Sequence, residues 1–336
     1  RTYLRAGGTS VQLPCATSDA GLLDFVAAWY VKAVPYLKAN PACRAAFVST
    51  NSITQGEQVG VLWSWMLAQG VHIQFAHRTF QWSNDAKGVA AVHCVIVGFG
   101  LEDLPGKTIY QYDDIKGEPL AVSASHINPY LLDAPDIIAT ARMTPVSQVP
   151  AIANGSIPAD GGNLVLTKDE RDDLIKAEPG STKWIRPYLG AEGFIHNEVR
   201  YCLWLVDAPP QTISSLPRVK ARVKAVAEMR SKSEKAATRQ KAASAHLFTE
   251  NRQPLKGRYL AIPRTSSENR TYLPIGYLDA KVIAANDLQI IPDAKLYHFG
   301  VLSSLMHRAW AGTTSGRLKS DIRYSVKLTY NTLPWP

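Results

Sequence analysis

Nine basic side chains, Arg218, Lys220, Arg222, Lys224, Arg230, Lys232, Lys235, Arg239 and Lys241, crowd one short stretch opposed only by Glu228 and Glu234. Lys220 and Lys224 stand four residues apart, as do Lys235 and Arg239, so several of these groups can share one face of a helix. Ammonium and guanidinium groups arrayed this way neutralise phosphate oxygens. A local excess of seven positive charges, in a chain of net charge +9, points to a polyanionic partner. A solvated helix face carries the same pattern. Other chemistry is hard to assemble. Cys15, Cys43, Cys94 and Cys202 form no CxxC or Cys/His cluster, which a zinc site or a disulfide framework needs. None of the eight histidines accompanies a serine or cysteine nucleophile in a recognisable motif, and His93 and His298 read as core residues. The sequence thus predicts no catalytic side chain, no metal, and four reduced thiols in a cytoplasmic protein.

The elements that must position these groups fall into two parts. An α/β rhythm fills roughly the first 120 residues. Leu22, Phe25, Val26, Trp29, Val31, Ala33 and Tyr36 give residues 22–38 a broad apolar helical face, with Pro35 in its last turn. Residues 45–50 read as a buried strand. A helix over 55–68 follows, stopped by Gly70, and then come strands over 71–80 and 89–99. The latter two are joined by residues 83–88, which have hairpin-loop chemistry. From about residue 106 prolines and glycines multiply and periodicity fades, leaving short strands, loops and one long helix over 216–244 that carries the basic run. No apolar run approaches the ~20 residues of a membrane span. The chain begins Arg1-Thr2-Tyr3, as a segment of a longer polypeptide would, and no secretion signal is visible.

Several blocks taken in order resemble the MmeI family of restriction–modification methyltransferases. They include Phe75-Ala76-His77-Arg78-Thr79-Phe80-Gln81-Trp82, Ala91-Val92-His93-Cys94-Val95-Ile96-Val97-Gly98-Phe99 and Gly316-Arg317-Leu318-Lys319-Ser320-Asp321-Ile322-Arg323-Tyr324-Ser325. Further blocks lie at 24–33, 47–59 and 296–300. The resemblance implies an α/β fold: the C-terminal portion of a Rossmann-like methyltransferase sheet over 1–118, then a mixed α+β target-recognition domain over 119–336. It also implies sequence-specific recognition of double-stranded DNA within an S-adenosylmethionine-dependent adenine-N6 methyltransferase. The chain departs from the family pattern in having no glycine-rich cofactor turn and no Asn/Asp-Pro-Pro-aromatic loop. The cofactor motif is therefore expected outside this chain, which alone should be inactive. The other reading is a non-catalytic nucleic-acid-binding protein that retains part of a methyltransferase fold.

What the resemblance implies for sites is specific. An extruded adenine must recover lost stacking, and Phe80 and Trp82 are the nearest aromatics, unless Phe80 packs under the sheet and Trp82 caps its edge. Arg218, Lys220, Lys224, Lys235 and Arg239, with Arg317, Lys319 and Arg323, are the phosphate candidates. Base readout falls on Tyr277, Arg308, Ala309 and Ala311. Arg308 is the potential guanine reader, unless it is only part of a helix turn around a core Trp310.

Overall fold

Helices form where apolar residues recur at helical spacing, and the sheet between them is mixed. The computed structural model describes residues 2–6, 9–13, 20–82, 92–318 and 320–336, with backbone alone up to residue 20. The 83–88 loop, Cys15 and Lys319 lie outside the described residues. The chain divides into two compact units. One comprises residues 1–147 with 309–334 and 336; the other comprises 148–308 with 335.

In the first unit β1 (Thr2–Ala6) and β2 (Thr9–Leu13) pair antiparallel. They precede α1 (Ala27–Ala39), β3 (Arg44–Thr50), α2 (Gly56–Ala68), β4 (His72–Trp82), β5 (Val92–Gly100), β6 (Lys107–Gln111) and β7 (Leu120–Ala124). The sheet order is β3-β5-β4-β6-β7. β5 runs antiparallel to both β3 and β4, and β7 runs antiparallel to β6, so two of the five strands are reversed. β6 returns parallel to β4. Gly70, at φ +83°, takes the left-handed position that ends α2, as the sequence predicts. Tyr30, Trp63 and Phe99 are wholly buried at the centre of the core. Their polar atoms are paired: Tyr30 Oη bonds Ser49 Oγ at 2.6 Å, and Trp63 Nε1 donates to the Ile53 carbonyl at 2.9 Å.

The second unit holds β8 (Ala153–Asn154), β9 (Val165–Leu166), α3 (Lys168–Ala177), β10 (Ile185–Leu189), α4 (Ala191–His196), β11 (Arg200–Leu203), α5 (Pro210–Ser214), α6 (Pro217–Ser231) and α7 (Ala236–Gln240). β12 (Arg258–Pro263), β13 (Thr265–Ser266), β14 (Gly276–Asp279), β15 (Ile283–Ala284), β16 (Leu288–Pro292) and α8 (Leu296–Leu302) follow. Two four-stranded sheets result, β15-β10-β11-β9 and β14-β12-β16-β8. Leu164, Leu166, Leu203 and Ile283 form one core with Val219 and Val226 of α6. α3 starts on a capping box in which Thr167 and Glu170 satisfy each other's backbone amides. α9 (Leu305–Thr314) carries the chain back to the first unit, where β17 (Gly316–Leu318) and β18 (Asp321–Arg323) make an antiparallel hairpin.

One expectation fails. The basic run is not a single helix over 216–244. α6 stops at Ser231, α7 is five residues long, and Lys241–Ser244 is a 3-10 turn. Serines compete for the backbone at the break: Ser231 Oγ donates to the Glu228 carbonyl, and Ser233 Oγ accepts from the Lys235 amide. Arg230 then draws the chain back. Wholly buried, it donates to the carbonyls of Pro158 and Ala159 on one side and of Lys241, Ser244 and Leu247 on the other, at 2.8–3.2 Å.

Candidate nucleic-acid interface

The far end of β4 carries an aromatic cluster. Phe80 stacks on Tyr112 at 5.4 Å and lies 6.2 Å from Trp82, ring centre to ring centre. His77 stacks on Tyr110 at 4.1 Å, and its Nδ1 bonds Tyr112 Oη at 2.8 Å. Burial holds the His77 imidazole below its ordinary pKa, and burial chiefly raises the Tyr112 phenol, so both stay neutral near pH 7. Phe80 is half-buried against these neighbours, whereas Trp82 is 49% exposed. Sequence reading named Phe80 and Trp82 but missed Tyr110 and Tyr112. Their alternation in Lys107–Gln111 and just beyond it was the available signal.

In the second unit the basic run sorts into braces and free cations. Arg222 donates to Glu170 (3.0 Å) and to the Asn163 carbonyl (3.1 Å), which ties α6 to the start of α3. Arg230 is committed to its five carbonyls. Arg239, a phosphate candidate, donates from Nη1 to the Ser233 and Glu234 carbonyls, both at 2.7 Å, and so braces the break between α6 and α7. The Glu178 carboxylate accepts from the amides of Arg218 (2.5 Å) and Val219 (3.2 Å). The positive end of α6 is thereby already satisfied. What remains toward solvent is side-chain charge. Arg218, Lys220, Lys224 and Lys235 are exposed, and Lys224 has only a loose 3.9 Å approach to Glu228. Lys220 and Lys224 share a face of α6, while Lys235 and Arg239 belong to α7 and its cap.

The readout candidates do not stand alike. Arg308 is half-buried, with Nε donating to the Arg270 carbonyl (3.0 Å) and Nη2 to the Glu268 carbonyl (2.7 Å). This fixes the plane of its guanidinium. Tyr277 donates its hydroxyl to the Ala294 carbonyl (3.0 Å), with Phe299 stacked at 6.0 Å and the Arg258 guanidinium 4.8 Å from its ring. Ala309 is exposed; Ala311 is wholly buried, so its methyl group presents no surface to a base. Trp310 donates Nε1 to the Thr329 carbonyl. In the hairpin, Arg323 is exposed on β18, and Arg317 donates to the carbonyls of Gly312 (2.9 Å) and Ser320 (3.1 Å). Of the other histidines singled out, His298 Nδ1 accepts the Lys295 amide at the start of α8, and His93 pairs with Gln81 in the β4–β5 ladder.

Comparison with known proteins is consistent along the chain. Residues 10–111 match the profile described as MmeI, DNA-methyltransferase domain, and residues 133–336 match MmeI, target recognition domain. DNA methyltransferase A of Bacillus subtilis (strain 168) is 38% identical over 315 residues, covering 94% of this chain and 35% of that protein. The type IIL restriction–modification enzyme MmeI, solved in complex with DNA, is 50% identical with a TM-score of 0.88, covering 96% of this chain and 43% of its own. The chain thus spans well under half the length of either relative. A family profile over most of the sequence and a fold match at half identity agree: this chain belongs to the MmeI family, carrying its target recognition domain and a portion of its DNA-methyltransferase domain.

Proposed function

We propose that this chain recognises a specific sequence in double-stranded DNA and presents an adenine for N6 methylation, within a restriction–modification enzyme of the cytoplasm that takes its methyl group from S-adenosylmethionine. The observation that carries the reading is the fold match to MmeI, an enzyme solved on DNA, over 96% of this chain. Residues 1–118 then form the closing part of the catalytic sheet, and 119–336 form the recognition domain, whose last segment returns to the first compact unit. Lys220, Lys224, Lys235 and Arg323 offer charge to phosphates, which positions the protein without reading sequence. Trp82 offers the stacking face that an extruded base needs.

The residues present do not fit the methyl donor. Among the described residues, the glycines that admit no side chain are packed against protein atoms: a β-carbon on Gly98 would strike the Phe75 ring, and one on Gly155 would strike the Ala285 carbonyl. The sequence also has no Asn/Asp-Pro-Pro-aromatic loop to polarise an adenine amino group. No chemical step is assigned to this chain. Its work is binding and orienting.

The test separates binding from transfer. The 336-residue chain is expected to bind duplex DNA with strong salt dependence. Calorimetry with S-adenosylmethionine should give no heat of binding, and a tritiated-methyl assay should give no transfer. Micromolar cofactor affinity, or duplex affinity independent of salt, overturns the reading.

A further inference from the structure

Five parts of the first unit converge on one cleft: Thr54 and Gln55 ahead of α2, Arg78 and Thr79 on β4, Tyr130–Leu132, Gly312 and Thr313 at the end of α9, and Arg317 on β17. Among these lining residues there is no carboxylate and there are two guanidinium groups. We propose that this cleft is a phosphate pocket that holds one phosphodiester of the DNA strand beside the extruded nucleotide. The proposal rests on the DNA-binding reading above and names the site that grips the backbone.

The backbone of β4 is built for it. Between His77 and Phe80 the strand takes three steps while β5 takes two, from Ile96 to Cys94, so a bulge falls at Arg78 and Thr79. In a regular strand consecutive side chains leave on opposite faces. Here the bulge lets both line one cleft, and bulges concentrate where a side chain must be re-aimed beside a functional site. Arg78 donates no hydrogen bond and forms no ion pair among the described residues. Its guanidinium is nonetheless crowded enough that burial lowers its pKa, although the side chain keeps open surface. A cation partly withdrawn from water and without an anion partner is placed to receive a phosphate.

The second cation is held in place. Arg317 is braced by the Gly312 and Ser320 carbonyls, so little side-chain entropy remains to be lost on binding. The start of α2 adds the positive end of a thirteen-residue helix, since Gln55 is the residue immediately before it. Tyr130 and Thr54 are also fixed: Tyr130 Oη accepts the Ala139 amide, and Thr54 Oγ1 donates to the Asn51 carbonyl. The aromatic candidates lie on the same strand. At about 3.3 Å per residue, and less through the bulge, Phe80 lies within roughly 7 Å of Arg78 along the strand, inside the reach of a single nucleotide from its phosphate to its base.

The experiment measures duplex binding by the full 336-residue chain against salt for Arg78→Gln, Arg317→Gln and the double variant, with Arg78→Lys as the charge-preserving control. Thermal shift with inorganic phosphate is run on the same proteins. Two guanidiniums on one phosphate predict that the double variant loses about 0.9 in the slope of log K against log salt, the value for one phosphate and not for two. Its affinity should fall roughly tenfold, less than the product of the single losses. Arg78→Lys should keep the slope, and phosphate should stabilise the wild type but not the double variant. The Arg78 side chain makes no hydrogen bond or ion pair among the described residues, so if Arg317 variants fail to fold, duplex affinity and phosphate stabilisation both undiminished in Arg78→Gln overturn the pocket. Wild-type slope retained in the double variant, or a loss of about 1.8 in it, overturns the pocket. Stabilisation by phosphate with duplex binding unchanged assigns the cleft to a free anion and overturns the DNA assignment. Absence of salt-dependent duplex binding by the wild type overturns the DNA-binding reading itself, while the phosphate arm still reports whether the cleft takes an anion.

Discussion

Gly56 and Gly316 meet backbone to backbone: a β-carbon on Gly56 would lie 3.1 Å from Gly316 Cα. Gly56 also holds φ at +62°, in the left-handed region that side chains avoid. This close approach sets the first residue of α2 beside the first residue of β17, and so brings Gln55 and Arg317 to one cleft. Gly56→Ala should therefore destabilise the chain by roughly 1–2 kcal/mol from backbone strain alone. It should also weaken duplex binding by displacing Arg317. Denaturant midpoints with salt-slope measurements check both; a variant of unchanged midpoint would show that the two segments part at no cost.

Arg230 predicts a different kind of loss. Its planar fork meets five carbonyls in a site where the side chain is wholly buried, a geometry that a lysine ammonium cannot reproduce. Both Arg230→Lys and Arg230→Met should cost about 3–5 kcal/mol, the range for breaking a buried charged network. Amide exchange should accelerate first over 241–247, whose carbonyls the guanidinium gathers. Full stability of Arg230→Lys would mean that charge alone organises the turn.

The unbraced cations give a cleaner test of phosphate binding than the braced Arg239, which is equally exposed. Replacing Lys220, Lys224 and Lys235 together by glutamine should weaken all duplexes alike and flatten the salt slope by about 0.9 for each phosphate no longer neutralised. Arg239, tied to the Ser233 and Glu234 carbonyls, should instead affect stability more than slope when changed. An unchanged slope in the triple lysine variant would place the phosphate footprint on another surface.

The methyltransferase part of the fold was legible because its signals are local. Apolar periodicity located α1 and α2, and Gly70 marked a real helix end. The basic run was legible as charge but not as shape. Helical spacing continues through Lys232–Lys235, and besides the local competition of Ser231 and Ser233 the turn is held by Arg230 reaching carbonyls more than seventy residues upstream, which no local window contains. The cleft was hidden for a related reason. Arg78 and Thr79 line it together only because a bulge suspends the strand alternation by which a sequence is read. Ala311 shows the converse: family position suggested readout, and burial withdraws its surface.

His307 supplies a pH prediction. Its ring is wholly buried, Nδ1 lies 2.7 Å from the Leu302 carbonyl, and burial pushes its pKa down to about 4 from 6.5. Protons therefore prefer the unfolded chain between these values. The neutral ring has no effect above pH 6.5. As pH falls from about 6.5 to about 4, folding should lose stability, up to about 3 kcal/mol at the lower end. Urea midpoints at about pH 7.5 and about pH 5 should differ in that direction, and His307→Gln should shrink the difference. An equal difference in that variant would assign the acid sensitivity elsewhere.

Arg308 gives the test of sequence reading. Its Nε and Nη2 are spent on the Arg270 and Glu268 carbonyls, so the guanidinium is held in a fixed plane with its remaining donors unassigned by those bonds. A pre-set plane suits bidentate pairing to guanine O6 and N7, which discriminates by roughly 1–3 kcal/mol. In a methylation-competent enzyme carrying this chain, Arg308→Ala should relax preference at one base pair and leave the salt slope nearly unchanged. Arg308→Lys, lacking the fork, should behave like alanine at that position. Methylated sites mapped by single-molecule sequencing give the answer. If the motif is identical and only stability falls, Arg308 is a brace for residues 268–270, and base readout belongs to side chains that face outward, Ala309 first among them.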